Sequence, residues 1–201
     1  MAFFTNFSVH GQVGLLDWYT ISIAIFAATI LAAHGATYLT LKTEGPVHDR
    51  SSKYSTYLWA AAVPLFLAIS VESLVVRHNV VGHAIHNPFC WAGVFIILIA
   101  TGTMISGLTA HHEMRAFLGS NFILVGLLTT GGAAIFPVML YSTLAPENSM
   151  TAYSAAAGKQ SLHLASLWWP VGFALAAVYF VFISRRYAGK VSVRRDTQGY
   201  Y

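Results

Sequence analysis

Five long apolar runs decide what this chain can fold into. They occupy about residues 15–41, 57–76, 89–108, 117–144 and 162–184. A helix rises 1.5 Å per residue, so roughly 20 apolar residues cross the hydrocarbon core of a bilayer. Backbone N–H and C=O groups in lipid must be satisfied within their own segment, which makes such runs helices. The alternating strands of about ten residues that build a membrane barrel are not seen. The chain is 201 residues long and only 9% charged. Soluble domains carry roughly 25%, so the apolar surface must meet lipid. The expected fold is all-α, a polytopic transmembrane bundle of about five spans forming one membrane domain over residues 1–201.

The loop charges give the bundle a direction. With five spans, one side holds Lys42, Arg50, Lys53, Arg115, Arg185, Arg186, Lys190, Arg194 and Arg195, and the other only Arg77 and Lys159. Positive charge is retained in the cytoplasm. The N-terminus is therefore expected outside and the C-terminus in the cytoplasm. Trp18, Tyr19, Tyr54, Tyr57, Trp59 and Tyr187 flank span ends as headgroup anchors. Trp168 and Trp169 fall in the outer third of the last span. Pro64, Pro137 and Pro170 fall inside spans and predict kinks. Residues 1–14 lack the basic and apolar pattern of a cleavable signal. The lone Cys90 excludes an internal disulfide and a multi-cysteine cluster; in an apolar run it reads as a packed hydrophobe.

Small residues mark close-packing faces. Ala24, Ala28, Ala32 and Ala36 recur every fourth residue in the first span. Gly126, Gly131, Gly132, Ala133 and Ala134 cluster in the fourth. Such faces pack within the chain or against a second subunit, and periodicity does not separate the two.

Ionisable residues within lipid are costly and mark candidate positions. Asp17 opens the first span, either as a helix cap or as a functional carboxylate. Glu72 lies one turn from the outer end of the second, where it could pair with Arg77, reach water or carry a proton. His34 lies in the inner third of the first span, either hydrogen-bonded or functional. Nine histidines raise the question of haem or metal. Only His34 and His163 lie in apolar runs, and their depths differ by about 20 Å at 1.5 Å per residue, so they cannot share one iron. His78, His83 and His86 fall in an outer loop, and His111, His112 and Glu113 in an inner turn, without a recognised ligand spacing. No metal or haem ligand and no catalytic residue is assigned to this chain. No phosphate loop, catalytic triad, carboxylate pair or nucleic-acid platform is present. An autonomous small b-type cytochrome and a channel or transporter half are the alternative functions open to such a bundle.

Several segments together resemble subunit II of the cytochrome bd-type quinol oxidases, closest to the branch often called cyanide-insensitive. They are Gly14–Thr20, His34–Gly45, Phe136–Pro146, Ser149–Ala156, Trp168–Pro170 and Tyr179–Phe182. The resemblance implies a bacterial cytoplasmic-membrane complex that oxidises quinol and reduces dioxygen to water. It implies two b-type haems and one d-type haem on a partner, subunit I, and none ligated here. It also implies a supporting role and a structural quinone or lipid. Thr43 and Glu44, within the second segment, become candidates for organising the inner loop. Family members have about eight spans, and the match falls on the last five. An internal start, a split gene or a truncated frame is the expectation for Met1. The family's proton-entry carboxylates belong to the earlier spans, and none is carried over.

Overall fold

The computed structural model describes residues 16–142 and 145–191. The expectations for residues 1–14, for Leu15, Thr143 and Leu144, and for Arg194 and Arg195 lie outside the described residues. The elements in order are α1 (Trp18–Lys42), α2 (Pro46–Val76), α3 (His78–His86), α4 (Pro88–Thr109), α5 (Glu113–Ile135), β1 (Val138–Leu140), β2 (Met150–Thr151) and α6 (Lys159–Arg186). Five of them, α1, α2, α4, α5 and α6, are long and apolar enough to cross a membrane. The all-α, five-span reading therefore holds.

Three boundaries differ from the sequence expectation. α2 begins at Pro46, some ten residues before its apolar run. Gly45 is its N-cap, Pro46 stands at the first turn and Asp49 adds negative charge there, all favourable at a helix start. α5 ends at Ile135 rather than near residue 144. Pro137 lacks an N–H and disfavours helical backbone in the residue before it, so it stops the helix instead of kinking it. The loop holding His78, His83 and His86 is the nine-residue helix α3.

The chain divides into two compact units. The first runs through Ile135 and includes Val191. Within it α1 packs on α2, α4 packs on α5, and α1 also meets α5. The core between them is Ile30, Ala33, Trp59, Ala62, Ala100, Met104 and Ile123. α4 and α5 approach at glycine. A Cβ added to Gly126 would lie 2.9 Å from the Gly93 carbonyl oxygen and 2.6 Å from Ile97 Cγ1. Hydrogen is the only side chain that fits this crossing. Cys90 Sγ donates to the Thr130 carbonyl at 3.6 Å, so it packs on the same seam. Val191 ties to the α1–α2 turn: its N–H donates to Lys42 O at 2.7 Å, and its carbonyl accepts from Glu44 N–H at 3.2 Å.

The outward surfaces are largely apolar, and several of their serine and threonine hydroxyls are turned onto their own helices. Thr29, Ser70, Thr103 and Thr129 each donate to the carbonyl four residues earlier, at 2.7–2.9 Å. This turns those four hydroxyl hydrogens away from hydrocarbon.

The second unit is Phe136–Lys190. β1 and β2 pair antiparallel, with Val138 opposite Thr151. Ala152 N–H donates to Pro137 O at 2.8 Å, and Phe136 meets Tyr153 edge-on at 5.8 Å. Two of the resembling segments, Phe136–Pro146 and Ser149–Ala156, are thus hydrogen-bonded to each other. α6 contains Pro170 and has no buried residue. Hydrophobic on all sides, it has the surface of a membrane span.

Candidate functional site

The polar groups of the first unit lie at three levels. At the end carrying Lys42, Arg50, Lys53 and Arg115, the basic end, His48 sits on the first turns of α2. Its Nε2 lies 2.8 Å from Glu113 Oε1 at the start of α5, and its Nδ1 lies 3.2 Å from Asp49 Oδ1. An imidazole between two carboxylates holds a hydrogen on both nitrogens when both carboxylates are ionised. This pair joins residues 65 positions apart. Sequence reasoning missed it, reading Glu113 as part of a solvated turn and not considering His48. Helix-start signals at Gly45–Pro46 could have placed His48 on α2, but nothing local could have named its partner.

One level deeper, Thr37 Oγ1 is the hub between α1 and α2. It donates to Ala33 O at 2.8 Å. It therefore accepts from Trp59 Nε1 at 3.0 Å and from Ser55 Oγ at 2.8 Å, because a hydroxyl has one hydrogen and two lone pairs. Thr37 and Ser55 are 2% and 0% exposed. His34, one turn further along α1, contacts α5. Ser120 Oγ donates to Phe117 O at 2.7 Å, so His34 Nδ1, 2.9 Å from Ser120 Oγ, is the donor in that bond. The ring also stacks on Phe117 at 5.5 Å.

At the opposite end, Asp17 closes a capping box on α1. Its carboxylate accepts from Thr20 N–H at 2.8 Å, while Thr20 Oγ1 accepts from Asp17 N–H at 3.1 Å. Tyr19 OH lies 2.9 Å from Ser73 Oγ. Ser73 Oγ already donates to Ile69 O at 2.7 Å, so the phenol is the donor between them. Ser22 Oγ donates to Glu72 Oε1 at 3.1 Å. Glu72 Oε2 is buried without a hydrogen-bond partner among the described residues.

The five sequence candidates are thus distributed, not gathered. Asp17 and Glu72 belong to the α1–α2 contacts at one end, and His34 to the α1–α5 contact. Thr43 is the C-cap of α1, its hydroxyl donating to Leu39 O at 2.7 Å, and Glu44 follows it in the turn. Among the described residues no group of three or more His, Cys, Asp or Glu side chains is placed to hold a metal.

The first unit also holds cavities. A polar one of about 80 Å³ lies at the basic end, lined by Thr37, Thr40, Ser55, His48 and Glu113 among others. An apolar one of about 500 Å³ is walled by α1, α2, α4 and α5, with Phe26, Trp59, Phe66, Ile97 and Met104 in its lining. No bond-making constellation of nucleophile, base and oxyanion donors is assembled in either. The arrangement suits packing, hydration and the seating of an apolar chain.

A comparison with curated proteins finds no match. Residues 2–186, which include all five membrane-capable helices, match the family described as cytochrome bd terminal oxidase subunit II. With that match over most of its length, the chain belongs to the family of subunit II of the cytochrome bd terminal oxidases.

Proposed function

We propose that this chain is a non-haem-ligating subunit of a bd-type quinol:dioxygen oxidoreductase. It supports a haem-bearing subunit I, which carries two b-type haems and one d-type haem and performs quinol oxidation and oxygen reduction to water. The observation that carries this reading is the family match over residues 2–186. The bonding pattern supports it: the polar side chains within the spans mostly bond inside their own bundle, as a scaffold requires. The complex sits in the bacterial cytoplasmic membrane, with the basic end of this chain toward the cytoplasm. The apolar cavity, bounded by Phe26, Phe66 and Ile97, takes a lipid acyl chain or the isoprenoid tail of a structural quinone. Asp17, Thr43 and Glu44 then act as organising groups at helix ends, and His34 and Glu72 as contacts between spans.

The test is recovery of the partner. Tagged chain extracted from native membranes should bring down a second polypeptide with b- and d-type haem absorption, while the chain separated from it is colourless. Purification without any haem protein overturns the proposal. A Soret band that stays with this chain alone would instead favour the b-type cytochrome.

A further inference from the structure

Three hydroxyls that line the polar cavity at the basic end, those of Thr37, Ser55 and Thr40, have already used their hydrogens. Thr37 gives its hydrogen to Ala33 O and accepts two bonds, one of them from Ser55. Ser55 has then spent its single hydrogen on Thr37. Thr40 has spent its own on Ala36 O, at 2.9 Å. Both hydroxyl oxygens retain lone pairs and no donor, and both residues line the cavity with the Glu113 carboxylate. Ser55 is completely buried and Thr40 is 8% exposed. His111 in the lining is exposed, and His48 and Glu113 keep 28% and 23% of their side chains accessible. They form the mouth, and Thr37 and Ser55 form the floor. Thr37 stands five residues inside the end of α1, about 8 Å along its axis.

A chamber with these acceptors at its floor, and with Ser52 and His111 also in its lining, suits a ligand that both gives and takes hydrogens. Polar cavities hold water where two to four partners are in reach, whereas apolar ones stay dry. At about 30 Å³ per molecule in the liquid, 80 Å³ suits two or three waters. We infer that this cavity is a structural water site, in which two or three ordered waters donate to Ser55 Oγ and Thr40 Oγ1. The waters reach the hydroxyl hub that holds Trp59, while the apolar cavity that Trp59 lines stays dry. The site rests on bonds within this chain and not on the identity of any partner.

X-ray radiolysis of the assembled complex in lipid nanodiscs tests it, because hydroxyl radicals form where waters sit and oxidise adjacent side chains. Trp59 and Leu108 are the reporters. Phe66 and Ile97, which share the apolar cavity with them, are the controls. The expected result is oxidation of the reporters with the controls silent. Thr40→Val, which keeps shape and removes the acceptor, should abolish the reporter signal, and Ser55→Ala should weaken it. If Thr40→Val does not assemble, Ser55→Ala decides alone. Silent reporters, controls oxidised as strongly as reporters, or a signal unchanged in the readable variants would each overturn the inference. So would a signal that disappears when sodium or potassium replaces choline, which would mark the site as a cation site.

Discussion

Thr37 Oγ1 joins α1 to α2 through two interhelical hydrogen bonds on one oxygen, and its substitution should cost more than that of either donor. Trp59→Phe removes one donor and leaves Thr37 otherwise satisfied, a loss of about 0.5–1.5 kcal/mol. Thr37→Val strands both the buried indole N–H and the Ser55 hydroxyl, at about 1–3 kcal/mol for each unsatisfied group. Thermal unfolding of the detergent-extracted protein should therefore rank Thr37→Val below Trp59→Phe; the reverse order would show that indole packing, not the shared oxygen, carries the contact. At this scale the sequence was only half legible. Asp17, Glu72 and His34 stand out because charge within apolar runs is visible. Thr37, Ser55 and Ser120 do not, since hydroxyls in spans commonly bond their own helix. Only tertiary placement distinguishes these three from Thr29 or Thr103.

The helices themselves were legible where hydropathy and backbone agree. α4 and α6 follow their apolar runs to within about three residues. α2 does not, because Pro46–Thr56 is polar yet helical and hydropathy registers only the lipid-facing part. α5 stops early because one proline outweighs the apolar residues after it. The glycines of α5 likewise divide by environment. Gly126 is pressed against α4, whereas Gly131 has nothing within 4 Å of the position a Cβ would take. Gly126→Val should then overpack the α4–α5 crossing by about 1–3 kcal/mol or more, and Gly131→Val should leave the chain's own stability within about 0.5 kcal/mol. Yield and melting temperature in detergent read both. Equal effects would mean that the two helices separate more easily than the close Gly93–Gly126 approach allows.

For the molecule as a whole, the proposed topology puts the Lys- and Arg-rich end of the bundle in the cytoplasm. In a Cys90→Ala background, a cysteine replacing Gly158 should react with a membrane-impermeant maleimide on intact cells, and one replacing Lys190 only after permeabilisation. The opposite pattern would invert the proposed topology. One further property follows from the length of α2. Its 31 residues measure about 46 Å, against a hydrocarbon thickness of about 30 Å. The surplus of about eleven residues corresponds to Pro46–Thr56, where Ser51, Ser52 and Ser55 stand among charged neighbours. Ser51 and Ser55 face inward there, and Lys53, Tyr54 and Tyr57 face outward, long side chains that can reach the headgroups from more than one depth. A bilayer a few ångströms thicker would meet those turns with Lys53 extended toward the headgroups. The extra turns of α2 thus give the bundle a polar margin with which to meet hydrophobic mismatch.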